Sequence, residues 1–370
     1  MPITRTTLRL FTAALLIASL SGCHFFHHGT AGAGTKKKAT AANQIPPMVP
    51  VDLTRVQPNE AGLVPILEYH DIIKGTKTTG YQYPAAAFKR DIAWLYDHNY
   101  RPVSLSDYIQ GKIDVPAGMS PVIITFDDAL RGQFYYTPDG KIDPDCAVGI
   151  LDNFHTQHPD WPLKGTFFVL TNGDPKLPPP FYQAEYAQGK MDYLVAKGYE
   201  IGNHTIHHLA GIRHWPDARV EAELAGAVVN IHKFEPNYNV QVLALPYGVF
   251  PKNKKLVISG ESNGVTYHNI CALKAGADPA ASPMGRDFYG KSFNPYYLPR
   301  IIPGAEKEKY TIHYWLNLME KEKALKFISD GDPYTYTVNS IEKGQINAAK
   351  IQKYHFRLRT YNGTQIVAGA

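Results

Sequence analysis

Short apolar runs and segments with helical spacing alternate along most of this chain. Val122, Ile123 and Ile124 form a continuous β-branched run, which suits a strand covered on both faces as in a parallel sheet. Similar short runs occur at residues 63–69, 164–170, 199–201 and 240–245. Apolar residues with the spacing of amphipathic helices lie between them, at residues 88–99, 146–158, 181–197 and 219–234. Strands separated by helices predict parallel pairing, in a barrel or an open sheet.

The pattern changes beyond residue 325. Pieces rich in Thr, Tyr and Val are separated there by polar loops, as at residues 334–338. Such residues favour strands. We therefore predict an α/β domain over residues 61–325 and a small β-rich C-terminal extension over residues 326–370. The α/β part is longer than a usual single domain but suits one α/β barrel.

The first 23 residues have the pattern of a secretory signal. Arg5 and Arg9 precede an apolar run over residues 10–20, which is too short to span a bilayer as a stable helix. The run ends in Leu-Ser-Gly-Cys at residues 20–23, which resembles a bacterial lipobox. The resemblance implies cleavage before Cys23 and diacylglycerol on its thiol. We therefore expect an exported protein anchored by lipid to a bacterial membrane, on its periplasmic or cell-surface side.

Residues 24–60 contain few large apolar side chains and are rich in Ala, Gly, Thr, Lys and Pro, which predicts a flexible tether. The formal charge of +5 over 370 residues is mild, and basic and aromatic residues are not interleaved. Nucleic-acid binding is therefore not expected. We also expect the protein to be a monomer. Cys146 and Cys271 are the remaining cysteines, and their positions leave open whether they pair.

Two adjacent carboxylates, Asp127 and Asp128, follow the apolar run at residues 122–124 in the sequence Thr-Phe-Asp-Asp. Side chains alternate along a strand, so both can face one pocket only if the strand ends between or just before them. Such a pair favours two roles, one carboxylate held ionised by a cation and one free to take a proton. The alternative is a turn or helix-capping pair, and the motif alone does not decide between them.

A histidine cluster, His204-Thr-Ile-His207-His208, follows the apolar piece at residues 199–201. On a helical turn, side chains four apart meet on one face, which would bring His204 and His208 together. The spacing also allows His204 with His207. Two imidazoles and one carboxylate are a common facial arrangement for a divalent metal with open positions. A ligand set with Asp128 would leave room for water.

The two motifs together resemble the polysaccharide deacetylase family, the NodB-homology carbohydrate esterases. That resemblance implies a distorted, incomplete (β/α) barrel and a metal-dependent hydrolase. It implies Asp127 as the catalytic base and Asp128, His204 and His208 as the metal ligands. Zinc is the favoured metal, with cobalt, nickel and iron as alternatives.

A third family motif, Arg-x-Pro-Phe/Tyr, is incomplete here. The chain has Ala-Leu-Pro-Tyr at residues 244–247, with Ala244 where the family has arginine. The resemblance implies that the Tyr247 backbone N–H helps to hold the oxyanion. The missing arginine normally orients the catalytic base, and Arg300 is our candidate replacement because it lies at a probable strand end. The alternative for Arg300 is a surface or loop salt bridge.

The family's Leu-x-x-His motif, which supplies the general acid, is normally near the C-terminus, where His313 has no good match around it. A match occurs early instead, as Leu-Glu-Tyr-His at residues 67–70. This order resembles the poly-N-acetylglucosamine deacetylases of biofilm systems, and first and last strands are neighbours in a barrel. We therefore predict His70 as the general acid, with Asp71 orienting its ring, against the alternative of a buried structural histidine.

The function expected from this resemblance is removal of N-acetyl groups, or O-acetyl groups, from a cell-envelope or extracellular polysaccharide. The alternative is a weakly active or inactive relative that binds glycan as an envelope lipoprotein, which the missing arginine favours. Aromatic residues near the predicted site could stack on sugar rings, although most are expected to be ordinary packing residues. The candidates are Phe134, Tyr135, Tyr136, Phe181, Tyr182 and Trp215.

Overall fold

The computed structural model describes residues 45–79, 81–170, 179–305 and 307–367. The predicted signal sequence, Cys23 and residues 24–44 of the predicted tether lie outside the described residues. Within the described ranges, the helices are too short or too polar to cross a bilayer. The described residues from 45 onward form a single compact unit.

The centre of the fold is a seven-stranded sheet in which every pairing is parallel. The strand order is β1-β5-β6-β7-β8-β11, and β4 pairs with the first residues of β5. The strands of this sheet are β1 (Ile66–Tyr69), β4 (Tyr100–Pro102), β5 (Ser120–Asp127), β6 (Thr166–Val169), β7 (Glu200–Asn203), β8 (Val242–Ala244) and β11 (Cys271–Leu273).

The sheet curls, and an irregular segment at residues 298–301 spans the gap between its two edge strands. Leu298 forms a parallel bridge with Leu273 of β11, and Ile301 forms one with Leu67 of β1. The Ile301 N–H donates to the Ile66 carbonyl at 2.8 Å. The predicted distorted, incomplete (β/α) barrel is confirmed.

Alternate residues of the strands face two different cores, as the pleat of a strand requires. One set packs against the surrounding helices and includes Leu67, Ile124, Phe167, Leu243 and Ile301. The other set lies on the opposite, inner side of the curved sheet. It includes Ile66, Ile123, Phe168, Ala244 and Leu298. Both faces of the sheet are buried, which explains why its strands read as continuous apolar runs.

Three of the four predicted helices, at 88–99, 146–158 and 219–234, are present within three residues of their predicted boundaries, and the described residues contain four further helices that were not predicted. The helices are α1 (Leu53–Val56), α2 (Ala85–Asp97), α3 (Leu105–Gln110), α4 (Ala147–Gln157), α5 (Ala187–Lys197), α6 (Asp217–His232), α7 (Ile312–Lys321) and α8 (Ala348–Lys353). The predicted helix at 181–197 begins later, because residues 180–186 form two 3-10 turns with Phe181 at a φ of +58°. Bulky residues at positive φ do not continue a right-handed helix.

The C-terminal extension is β-rich, as predicted. Its three strands are β12 (Thr335–Asn339), β13 (Arg357–Asn362) and β14 (Gln365–Val367), with β12 parallel and β14 antiparallel to β13. Tyr336, Val338 and Leu358 join the core cluster inside the curl of the main sheet. Two small ribbons complete the fold, formed by β2 (Asp71–Ile73) with β3 (Gln82–Pro84) and by β9 (Ser259–Ser262) with β10 (Val265–His268).

The flexible tether predicted for residues 24–60 does not reach residue 60, because residues 53–60 pack on the folded domain. Leu53 is buried, Asn59 forms a bridge with Ile328, and the buried Glu60 accepts a hydrogen bond from the Thr337 N–H at 2.6 Å. Composition alone suggested a tether to residue 60, because the partners of these polar residues lie about 270 positions later. Cys146 and Cys271 are both buried free thiols, so they do not pair.

Candidate active site

The two adjacent aspartates lie at the carboxyl edge of the main sheet. β5 ends at Asp127, and the next two residues, Asp128 and Ala129, have φ angles of +74° and +49°. This left-handed turn is rare for residues other than glycine, and such backbone is concentrated at functional sites. Because the strand ends between the two aspartates, both carboxylates face the same pocket, as the sequence analysis requires.

Three side-chain atoms converge beside this turn. Asp128 Oδ1 lies 3.1 Å from His204 Nε2 and 3.1 Å from His208 Nε2. Asp128 Oδ1 is buried, and among the described residues neither imidazole nor any other group makes a well-aligned hydrogen bond to it. A buried carboxylate oxygen without a partner is costly unless a ligand completes it. One carboxylate and two imidazoles therefore fit a divalent metal with open coordination positions.

The loop that carries the histidines is not helical, so the predicted helical turn is wrong. Thr205 and His208 have φ angles of +66° and +52°, and these two positive-φ residues fold residues 204–208 back on themselves. The Thr205 N–H donates to Asn203 Oδ1 at 2.8 Å, and the His208 N–H donates to Thr205 Oγ1 at 3.2 Å. The two imidazole rings still meet, with centroids 5.0 Å apart.

His207, the alternative second ligand, turns away from the converging atoms. Its Nδ1 lies 2.8 Å from Glu223 Oε2, and Glu223 Oε1 accepts hydrogen bonds from the N–H groups of Ile206 and His207. Glu223 thus anchors the loop from α6. The geometry selects His208, which sequence spacing alone left open.

The backbone of β8 orients His204. His204 Nδ1 lies 3.0 Å from the Ala244 carbonyl oxygen, which can only accept. The proton is therefore on Nδ1, and the Nε2 lone pair is directed at the pocket, as in metal sites whose ligands are oriented by an outer hydrogen bond. Burial lowers the pKa of His204, but Asp127 and Asp128 outweigh it and raise that pKa above its ordinary value.

Arg300 clamps Asp127 from the segment that closes the sheet. Its Nη1 and Nη2 donate to the two carboxylate oxygens of Asp127, each at 2.7 Å, and Nη1 also donates to Thr125 Oγ1 at 3.2 Å. The guanidinium is fully buried, so the surface salt bridge considered for Arg300 is excluded. Burial raises the pKa of Asp127, but Arg300 and His204 outweigh it and hold that pKa below its usual value.

Glu68 is a site residue that the sequence analysis missed. Its Oε1 lies 3.2 Å from Arg300 Nη2, and its Oε2 is buried without a hydrogen-bond partner in the described ranges. Burial raises the pKa of Glu68 to about 7, Arg300 opposes this, and the charge of Asp127 adds to it. The available signal was a carboxylate inside an otherwise apolar strand, two residues before His70.

His70 lies on the same face of its strand as Glu68. Its Nε2 is 4.0 Å from Glu68 Oε1, and its ring centroid lies 4.9 Å from that of Tyr81. Burial lowers the pKa of His70. Asp71 instead accepts from the Gly132 N–H at 2.9 Å, so its predicted role in orienting His70 is wrong. His313 pairs with Asp91 at 3.3 Å and is not among the residues that converge at the pocket.

Tyr247 forms part of the pocket rim. Its φ is +56°, its side chain is 54% exposed, and its ring lies 4.7 Å from that of His208. Tyr81 is a second exposed ring beside the pocket, which the sequence analysis missed. Phe134 and Phe181 are fully buried and pack on each other, so their suggested stacking on sugar rings is wrong.

The comparison with protein families finds a match over part of this chain. Residues 114–267 match the model of the family described as polysaccharide deacetylase, so the family resemblance of the sequence is confirmed over this stretch. The stretch includes both aspartates and the histidine cluster. It begins after His70 and ends before Arg300. A comparison with curated proteins gives no match.

Several solved structures are similar in fold. The deacetylase PplD of Streptococcus pyogenes, in complex with acetate, is 16% identical, covers 70% of this chain and 98% of its own, and has a TM-score of 0.49. A polysaccharide deacetylase from Bacillus cereus is 15% identical over 69% of this chain and 68% of its own, with a TM-score of 0.47. IcaB from Ammonifex degensii is 16% identical over 66% and 93%, with a TM-score of 0.42.

Proposed function

We propose that this protein is a metal-dependent deacetylase that hydrolyses N-acetyl groups of a cell-envelope or extracellular polysaccharide. The observation that most supports this proposal is one pocket that contains two carboxylates with different neighbouring groups. Asp128 faces two imidazoles, whereas Asp127 is clamped by a buried guanidinium. Carboxylates with such different surroundings suit one metal ligand and one base.

Asp128, His204 and His208 would hold the metal, and zinc is the favoured ion for this donor set. Such an ion would supply Lewis acidity toward the acetyl carbonyl and make water easier to deprotonate. Cobalt, nickel or iron would accept the same ligands.

Asp127 is the proposed base. Arg300 keeps it ionised and fixes both of its oxygens, while Oδ2 lies 3.9 Å from His204 Nε2, on the metal-ligand side. That oxygen accepts the proton of the attacking water. A base on a rigid clamp is positioned before the substrate arrives, and misplacement by about 1 Å can cost roughly 100-fold in rate.

His70 is the proposed acid and gives a proton to the departing amine, or to an alcohol if the substrate is an ester. The Tyr247 N–H is the proposed donor to the oxyanion, where loss of one donor costs roughly 3–4 kcal/mol. An inactive glycan-binding relative is the second candidate, which Ala244 favours. The buried pairing of Arg300 with Asp127 weighs against it, because the base keeps an arginine partner.

The location of the proposed substrate follows from the N-terminal sequence. A lipid on Cys23 would keep the enzyme at an envelope membrane, where acetylated polysaccharides of the wall or matrix are within reach. We propose an exported lipoprotein that acts as a monomer on such a polymer.

Acetate release is the direct test. The purified chain is stripped with a chelator, reloaded with zinc, cobalt or nickel, and incubated with acetylated chitooligosaccharides, peptidoglycan and an O-acetylated glycan. We expect acetate only from reloaded protein, with the N-acetylated glycans preferred, and none from Asp127→Asn. Release that is equal with and without metal would contradict metal dependence. Polysaccharide binding without any acetate release would favour the inactive relative.

A further inference from the structure

A short hairpin at residues 286–292 carries two aromatic residues at its tip. Arg286 and Ser292 form an antiparallel bridge, and the Asp287 N–H donates to the Lys291 carbonyl at 2.8 Å. Asp287 Oδ1 accepts from the N–H groups of Tyr289 and Lys291, and Gly290 closes the turn at a φ of +77°. The hairpin is therefore held by its own hydrogen bonds.

Phe288 and Tyr289 occupy the turn positions, where Asn, Asp, Gly and Ser are usual. Their side chains are 45% and 60% exposed. The fold does not need two large rings at this tip, since the backbone and Asp287 make the turn. Phe288 rests on Trp315 with ring centroids 5.3 Å apart, and the Tyr289 hydroxyl donates to Asp278 Oδ1 at 3.1 Å. Both rings are thus fixed in place while exposed to solvent.

A third exposed ring, Tyr297, lines the same cavity as the hairpin tip. This cavity, the aromatic cleft, has a volume of about 360 Å³. Tyr297 is 46% exposed, its ring centroid lies 5.1 Å from that of Phe250 in a tilted arrangement, and Lys274 Nζ lies 5.0 Å from its ring centroid. The polar side chains that line the cleft besides the tyrosines are Lys274, Asp278, Asp287, Lys291, Ser292 and Asn294.

The aromatic cleft adjoins the candidate active site through the chain itself. Tyr297 directly precedes the segment at residues 298–301 that closes the sheet and carries Arg300. The Lys274 carbonyl, at the end of β11, accepts a hydrogen bond from Arg300 Nε at 3.2 Å. Tyr297 and Arg300 thus link the cleft and the candidate active site by a short piece of chain.

We infer that the aromatic cleft is a second sugar-binding subsite, which holds units of the substrate glycan away from the reacting acetyl group. This inference deepens the proposed function and rests on it for the identity of the polymer. The faces of pyranose rings carry C–H groups that pack on aromatic rings, while their hydroxyls pair with carboxylates, amides and ammonium groups. Two lysines and two aspartates balance in charge, which suits a neutral acetylated glycan rather than an acidic polymer.

The test compares substrate lengths. Acetate release is measured on N-acetylglucosamine hexamers and dimers with the wild type, with Phe288→Ser/Tyr289→Ser, and with Tyr297→Ser. We expect each variant to raise KM for the hexamer about tenfold, the scale of losing ring contacts of this kind, with kcat and the dimer reaction unchanged. Tyr354→Ser, at an equally exposed tyrosine beyond α8, is the matched control and should change neither substrate. Thermal melting checks that each variant is folded.

A binding arm separates this inference from the proposed function. The metal-stripped chain, which does not turn over, is run in native gels that contain glycol chitin. If the gel retards the wild type but not the hairpin and Tyr297 variants, glycan binding at the aromatic cleft is supported. This holds even if no acetate is released in any assay. Equal retardation of all variants, or a KM change that is the same for dimer and hexamer, overturns it.

Discussion

The guanidinium of Arg300 and the carboxylate of Asp127 form a bidentate salt bridge in the interior of the curved sheet. Both of its N–O distances are 2.7 Å. Arg300 reaches this position because residues 298–301 close the gap between β11 and β1. Its guanidinium lies over the ring of Phe168, which belongs to the core cluster inside the curved sheet. Ala244 stands where the polysaccharide deacetylase motif has arginine, and Arg300 contacts the carboxylate of Asp127 instead.

The first prediction concerns this pair. Arg300→Lys keeps a positive charge but loses the planar fork, so Asp127 should be ionised yet poorly fixed. We expect kcat for acetate release to fall about 100-fold, the usual cost of misplacing a catalytic group by about 1 Å, with bound metal unchanged. Steady-state kinetics and elemental analysis on the same preparation measure both quantities.

A rescue experiment is the control for that prediction. Arg300→Ala should be nearly inactive, and Ala244→Arg added to it should recover part of kcat, since residue 244 faces the same interior space. A folded double variant with no recovery would show that position 244 cannot supply the clamp. Full activity of Arg300→Ala would show that Asp127 does not need it.

The second prediction concerns the proposed metal ligands. Asp128→Asn and His204→Ala should each strip the metal and abolish acetate release while the fold is kept, because the donor atoms converge only in the folded pocket. Elemental analysis after dialysis, with circular dichroism for folding, measures this. His207→Ala is the matched control and should retain metal, since His207 pairs with Glu223 instead. Full occupancy in Asp128→Asn or His204→Ala would contradict the ligand set.

The sequence predicted the sheet, and which residues share a pocket, better than it predicted the local backbone. Continuous apolar runs are diagnostic when both faces of a strand are buried, so β5 and β6 were found directly. Asp127 and Asp128 were identified because polar residues that directly follow such a run must lie at the sheet edge. The positive φ angles of Asp128 and His208 were not predictable, because residues other than glycine rarely adopt that region and the surrounding fold imposes it.

Long-range partners were the other limit of the sequence. Glu68 looked like an isolated polar residue in a strand until Arg300, 232 positions later, was placed beside it. Glu60 was assigned to a tether for the same reason, as its partner Thr337 lies in the C-terminal extension. Arg300 itself was found only because the family resemblance required an arginine and Ala244 left the role open.

The third prediction follows from the buried Glu68. Its pKa of about 7 in the folded, metal-free protein exceeds the ordinary 4.5. Between these values the folded state binds a proton that the unfolded state does not, so stability falls as pH rises from 4.5 to 7. Urea unfolding of the metal-stripped protein should give a lower free energy of unfolding at pH 8 than at pH 5. In Glu68→Gln this decrease should be smaller by up to about 3 kcal/mol, because each pKa unit corresponds to 1.36 kcal/mol. Glu261→Gln, at an exposed position, should behave as wild type. A pH dependence that Glu68→Gln leaves intact would exclude Glu68 as its source.

The fourth prediction concerns the N-terminus. If Cys23 carries lipid, Cys23→Ser should turn a membrane-associated protein into one recovered in the soluble exported fraction, because the acyl chains contribute about 0.8 kcal/mol per buried CH₂. Fractionation of cells that express each form, with detection by antibody, measures the change. Recovery of the unmodified protein in the soluble fraction would show that the lipobox interpretation is wrong.

The fifth prediction concerns His70 and tests the early placement of the acid. His70→Ala should lower kcat by roughly 10²–10⁴-fold, the usual scale of general acid catalysis. Metal content should be unchanged, since His70 is not among the proposed ligands. The basic limb of the pH–rate profile should also disappear, because an acid must be protonated to act and that limb reports its ionisation.

His313→Ala is the matched control for His70→Ala. His313 pairs with Asp91, which also accepts from the Tyr69 hydroxyl at 2.9 Å, so its loss should affect stability and leave the shape of the pH–rate profile intact. A structural His70 would behave in that same way, with a lower melting temperature and an unchanged profile. If His313→Ala removed the basic limb and His70→Ala did not, the acid would come from the C-terminal part of the chain. The first strand of the sheet would then supply Glu68 alone to the chemistry.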